Sequence, residues 1–193
     1  MKHGLLCTAF IIATAVLGSL AIAESTGDNR SNPDTLEYKL EIREHEALGV
    51  LKSNPLIQLN DFTTDGCSGG LSVGWHYLAG KIEKFNKLHG VQPPWESCCI
   101  SHDRAYHSGG VREISAEQSF DQRKSADQIL RSCVQRTGTD RSEELGNAYG
   151  ISSEEVERLY TLISSLMYRA VRIGGIPCSG LPWRWGYGWP ECE

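Results

Sequence analysis

The decapeptide CCISHDRAYH, Cys98 to His107, sets two adjacent cysteines one helical turn before an adjacent His-Asp pair and a tyrosine. On a helix Cys98, His102 and Tyr106 recur every four residues and share a face. Asp103 points about 100° away from His102, so the histidine and the carboxylate beside it serve different directions. Taken alone, the stretch also fits a surface helix carrying a satisfied histidine. Its surroundings decide between the two.

A partner lies in SFDQRKSADQILRSCV, Ser119 to Val134. If Cys98 is bonded to Cys133 across two antiparallel helices, seven residues along each brings Ala105 opposite Ala126. Two alanines let the backbones approach closely. In that register His102 lies about 6 Å from the staple and Asp127 about 9 Å, at ~1.5 Å per residue. That offset is within side-chain reach. Asp127 is therefore expected to accept a hydrogen bond from one imidazole nitrogen, fixing the tautomer and leaving the other nitrogen as a general base. Asp121, six residues further down the helix, is the rival carboxylate.

Asp103 needs a partner of its own. TDGCSGG, Thr64 to Gly70, has glycines that let several carbonyls converge, and hard cations such as Ca²⁺ take carbonyl and carboxylate oxygens. Cys67 could tie this loop to Cys99. A plain glycine turn is the simpler alternative.

The chain opens on MKHGLLCTAFIIATAVLGSLAIA, a basic start, an apolar run and an Ala-Ile-Ala ending, the layout of a secretory signal cleaved after Ala23. An uncleaved anchor is the alternative, whereas lipidation at Cys7 is disfavoured by the bulky Leu6. Beyond residue 23 six cysteines remain: Cys67, Cys98, Cys99, Cys133, Cys178 and Cys192. An even count in an exported chain reads as three disulfides, and spacing alone permits about fifteen pairings. Without Lys2, 18 Lys and Arg face 24 Asp and Glu, a charge of about −6 that argues against nucleic acid as a partner.

Residues 24–33, ESTGDNRSNP, read as a flexible lead-in to one domain over 34–193. Helices are expected over about 34–47, 71–88 and 116–136, with another from Pro93-Pro94 to Gly109-Gly110. Ser115 with Gln118, and Ser152 with Glu155, form capping-box starts, the second for a helix over about 152–173. No run alternates at period two, so the class is mainly α with disulfides. In the tail, CSGLPWRWGYGWPEC, a Cys178–Cys192 bond would close a Trp-rich loop. Trp183, Trp185, Tyr187 and Trp189 either meet a lipid surface or fold back over the core, and the second is preferred.

These residues carry a resemblance. CCISHDRAY is similar to the active-site signature of the secreted phospholipases A2, Cys-Cys-x-x-His-Asp-x-Cys-Tyr, and ADQILRSCV resembles that family's partner segment. The resemblance implies a mainly α phospholipase A2-like fold: two long antiparallel disulfide-linked helices, a calcium-binding loop and an additional C-terminal helix. It implies His102 as base, Asp127 as the dyad carboxylate and Tyr106 as a buttressing phenol. Asp103 and the carbonyls of Gly66, Ser68 and Gly70 would hold Ca²⁺, and Cys98–Cys133 and Cys67–Cys99 would be bonded. The activity implied is secreted, calcium-dependent hydrolysis of the sn-2 ester of phospholipid at a membrane or micelle surface, by a monomer.

Departures from the pattern are informative. Ala105 and Ala126 stand where the best-known members have two cysteines bonded to each other, so both halves of one disulfide are absent together. The loop lacks the fuller Tyr-Gly-Cys-x-Cys-Gly-x-Gly-Gly pattern and looks closer to divergent and bacterial members, some of which bring a loop aspartate to the calcium. Asp65 is the candidate here. The likeness covers about 64–134; LMYRAVRIGG, Leu166 to Gly175, is only weakly similar to the bacterial C-terminal helix. Rival readings are a serine hydrolase elbow at GLSVG with Ser72, which needs a preceding strand, a non-catalytic lipid- or protein-binding module, and a zinc site of His102 and His107, whose spacing of five leaves a shared face.

Overall fold

The computed structural model describes residues 32–67, 71–111 and 114–192. The expected signal, most of the lead-in, and Ser68 and Gly70 of the loop lie outside them. The chain divides into two compact units, Met1–Leu40 and Glu41–Glu193. In the described part of the first, the Asn32 carbonyl accepts from the Thr35 hydroxyl at 2.8 Å, and Thr35 opens the first helix.

Six helices run through the described residues, with no strand among them: α1 Leu36–Ser53, α2 Leu71–Lys81, α3 Glu83–His89, α4 Glu96–Ser108, α5 Ala116–Tyr149 and α6 Ser153–Gly174. The class is mainly helical. None of these helices is long and apolar enough to cross a membrane. Both capping boxes are present, Ser115 with Gln118 at α5 and Ser152 with Glu155 at α6, each satisfying two otherwise orphaned backbone donors. Gly109, at φ +62, ends α4 in a left-handed turn that glycine adopts without strain.

Three elements differ from their sequence reading. The helix expected over 71–88 is two, because Ile82 is extended (φ −122, ψ 100). The break folds α3 back until the Trp75 and Phe85 rings lie 4.9 Å apart, although ten residues of straight helix would separate them by about 15 Å. The helix expected to end near 136 runs on to Tyr149 through Thr137 and Gly138, both weak helix formers. Tertiary packing overrides propensity there, since a Cβ on Gly138 would overlap Tyr160 of α6. Finally, α1 continues past 47 to Ser53. Its last turn is held by Lys52, which donates to the carbonyls of Gly109, Gly110 and Val111 at 2.7, 3.1 and 2.9 Å, neutralising the negative end of α4.

Helices α4, α5 and α6 form an antiparallel series. Between α4 and α5 the pairs Cys98–Cys133, His102–Asp127 and Tyr106–Arg123 step in opposite directions; between α5 and α6, Arg131–Ser165 and Arg123–Arg172 do the same. All three disulfides are those expected: Cys67–Cys99, Cys98–Cys133 and Cys178–Cys192, with Cα separations of 5.1, 5.8 and 5.2 Å. One apolar cluster surrounds the first two, built on Trp95, Leu130, Val134, Leu145, Val156 and Tyr160. A second holds Leu48, Tyr106, Ala126, Trp185 and Trp189.

The tail folds back onto the protein. Trp185 is buried with its ring 5.1 Å from that of Tyr106, and its indole N–H donates to the Ser119 hydroxyl at 3.1 Å. Trp189 is buried and donates to the Ser108 carbonyl at 2.9 Å. Trp183 differs, staying 42% exposed.

Candidate active site

The site lies where α4 and α5 face each other between the two apolar clusters. His102 Nε2 stands 2.7 Å from Asp127 Oδ1. A carboxylate only accepts, so Nε2 carries the proton and the Nδ1 lone pair of the neutral ring is left free. Nδ1 faces Asp103 Oδ1 at 4.0 Å, beyond hydrogen-bond range. The register computed from one staple thus matches a pair in direct contact. The rival Asp121 is exposed and is not the partner of His102.

Tyr106, one turn beyond His102, packs its ring tilted against the imidazole with centroids 4.1 Å apart and donates its hydroxyl to the same Asp127 Oδ1 at 2.7 Å. Burial pushes this phenol well above its ordinary range, so it remains a donor. Asp127 itself is 0% exposed. Its other oxygen, Oδ2, accepts from Arg172 Nη1 at 3.2 Å.

That last contact belongs to a buried network which the sequence did not suggest. Arg172 Nη2 reaches Glu41 Oε1 at 3.2 Å, and Glu41 also receives Arg123 Nη1. Arg123 donates from Nε to the Tyr106 oxygen at 3.1 Å and from Nη2 to the carbonyls of Val171 and Arg172 at 2.8 and 2.7 Å. Two carboxylates and two guanidiniums balance. Burial pushes the Glu41 carboxyl up, but its contact with His45 and the Arg123 and Arg172 charges outweigh that and hold it below its ordinary value. His45 Nε2 is 3.7 Å from Glu41 Oε1, beyond hydrogen-bond distance, while Nδ1 pairs with the Ser119 hydroxyl at 2.8 Å. Burial lowers His45, keeping it neutral.

A signal for this network exists in hindsight. Arg123 falls on the buried row Phe120, Arg123, Asp127, Leu130 and Val134 of α5, and Arg172 on the row Val156, Tyr160 and Ser164 of α6. A charged residue in a core row marks a buried ion pair.

On its other side α4 presents Asp103 to the loop. Asp103 Oδ2 accepts from the Thr64 hydroxyl at 2.5 Å, and the Thr64 hydroxyl oxygen in turn accepts from Gly66 N at 3.0 Å. Gly66 is left-handed at φ +75, and a Cβ there would meet Glu96 Oε1 at 2.6 Å. The Tyr187 hydroxyl of the tail donates to the Thr63 carbonyl at 2.6 Å, pinning the loop from outside. Burial raises the Asp103 carboxyl and the neighbouring Asp65 charge adds to that, against the Thr64 hydrogen bond and His102. Tyr187 is pushed up to about 12 by burial and by Asp103 and Asp65. Among the described residues no three His, Cys, Asp or Glu side chains gather to hold a metal. The two carboxylates described there, Asp103 and the neighbouring Asp65, are hard oxygens of the kind calcium takes, while the carbonyls of Ser68 and Gly70 lie outside the described residues.

The rival centres lack what they need. The Ser72 hydroxyl is turned into its own loop, accepting from Cys67 N at 3.1 Å, and no strand precedes it among the described residues. His107 points away from His102, between the rings of Phe62 and Tyr187 at 5.5 and 5.2 Å.

Comparison with protein-family models, with curated proteins and with solved structures finds no match. What these side chains do is then a question for their own chemistry.

Proposed function

We propose that the chain is an exported, calcium-dependent hydrolase of the phospholipase A2 type, cleaving the sn-2 ester of glycerophospholipids at a lipid surface. The observation that carries this is the buried His102–Asp127 hydrogen bond of 2.7 Å across two stapled helices, with Nδ1 left free toward Asp103. In this reading Nδ1 takes a proton from water as its oxygen bonds to the ester carbonyl carbon. Asp127 stabilises the imidazolium that forms, and His102 returns the proton to the departing glycerol oxygen as the ester C–O bond breaks. Tyr106 holds Asp127 in place. Asp103 with the carbonyls of Gly66, Ser68 and Gly70, and Asp65 as an additional carboxylate, would hold Ca²⁺, which when bound supplies charge for the lipid phosphate and the developing oxyanion. Export accords with three disulfides in one chain.

A second reading, a non-catalytic lipid- or protein-binding module, is favoured by one feature: Arg172 already satisfies Asp127 Oδ2, so the carboxylate does not depend on an imidazolium. Lysophospholipid and fatty acid release from phosphatidylglycerol vesicles, with Ca²⁺ or with excess chelator, decides. The enzyme reading expects both products in equal amounts with Ca²⁺ and neither with chelator. Vesicle binding without product at saturating Ca²⁺ would establish the module instead, and full activity in chelator would remove calcium from the mechanism.

A further inference from the structure

We infer that Arg172 is a positioning residue for the Asp127–His102 pair, and that Glu41 is the counter-anion that allows it to act. The inference rests on the general-base reading of His102.

Asp127 Oδ1 serves two donors, His102 Nε2 and the Tyr106 hydroxyl, both at 2.7 Å. Contacts on one oxygen leave the carboxylate plane free to turn about its broad terminal torsion. Arg172 Nη1 at Oδ2, 3.2 Å away, removes that freedom. A lone guanidinium there would compete with the imidazolium for Asp127. Glu41 prevents this by taking Arg172 Nη2 at 3.2 Å and Arg123 Nη1. Arg123 in turn donates Nε–H into the Tyr106 oxygen at 3.1 Å, so the phenolic proton must point to Asp127. Asp127 is thus held directly from α4 by Tyr106 and from α6 by Arg172, and one contact further out by Glu41 of α1, which holds Arg172, and by Arg123 of its own helix, which holds Tyr106. Every member is buried, and the charges cancel.

The test uses the full chain with Arg172→Gln, Arg172→Lys and the charge-balanced double variant Glu41→Gln/Arg172→Gln. Two readouts are taken: initial rates on phosphatidylglycerol in mixed micelles, and the His102 tautomer from ¹⁵N ring shifts. For Arg172→Gln, kcat should fall about 10- to 100-fold, the loss typical when a group orienting a functional histidine is removed, while KM and the calcium midpoint stay within about twofold. The ring should change from a single Nε2–H tautomer to a mixture, and Arg172→Lys should restore most of both. If the parent hydrolyses no lipid, the function proposed above fails while the tautomer still decides this inference. If the single variant does not fold, the double variant, which keeps the buried charges balanced at one guanidinium, Arg123, and one carboxylate, Asp127, carries the test. A folded variant of either kind with parental kcat and an unchanged tautomer overturns the assignment. Failure of both to fold also overturns it, in favour of a purely structural Arg172.

Discussion

Replacing Glu41 by Gln tests the buried network through stability rather than turnover. Glu41 is 2% exposed and is shared by Arg123 and Arg172, two guanidiniums equally cut off from water. Removing one partner of a buried ion pair costs about 3–5 kcal/mol, because the remaining charge is uncompensated. The amide oxygen still accepts one N–H, and Asp127 still holds Arg172, so the lower end applies, about 3 kcal/mol. For a chain of this size that lowers Tm by roughly 6–12 °C. Urea unfolding at pH 7, followed by tryptophan fluorescence, measures it, with buried Trp185 beside Tyr106 as reporter. The pH dependence is a second check. A carboxyl held below its ordinary value of 4.5 contributes stability that is complete above that value and lost as pH falls through its folded value. The variant has no such group, so the two stability curves should converge below pH 4.5. A loss under about 1 kcal/mol at pH 7, or a gap unchanged down to acid unfolding, would refute the reasoning.

Substituting His102 by Ala should leave the fold intact but reduce lipid hydrolysis about 10²- to 10⁴-fold; more than a tenth of parental activity would show that another group is the base. In Gly138→Ala the new methyl meets the Cβ and Cγ of Tyr160, which cannot swing aside. Overpacking of about 1–3 kcal/mol should then exceed the ~1 kcal/mol that alanine gains in a helix, and a Tm that rises would disprove the close approach. Converting Cys178 and Cys192 together to Ser opens a loop with sequence separation 14. Stability should drop by up to about 3 kcal/mol, with tryptophan emission moving to the red as Trp185 and Trp189 gain water. Unchanged emission and Tm would show that packing alone holds the tail.

The sequence made local chemistry legible and long-range chemistry illegible. Capping boxes span three residues and the His102–Asp127 register needs one staple and a helical rise, so both could be worked out by hand. Glu41 and Arg172 are 131 residues apart, and no periodicity links them. Helix α1 misleads further, because its buried face is Glu41, Ile42, His45, Leu48 and Lys52, a pattern that by polarity reads as a solvent face. The same blindness hid the ends of α1, where Lys52 finds three carbonyls of another element, and of α5, where Gly138 makes room for Tyr160.

Adjacent cysteines bonded to different elements also fix an angle. Cys98 and Cys99 leave α4 about 100° apart, one bound to α5 and the other to the loop at Cys67. A helix held by a single covalent tether can still swivel about its own axis; one held on two bearings cannot. Four residues on, His102 repeats the bearing of Cys98 and Asp103 that of Cys99. The azimuth between the imidazole and the second carboxylate is set by the helix itself, and the two bonds fix where that pair aims, one toward α5 and the other toward the loop. Repacking of the α4–α5 seam can shift both side chains together, but it cannot re-aim one against the other, so both point their way before any ligand arrives.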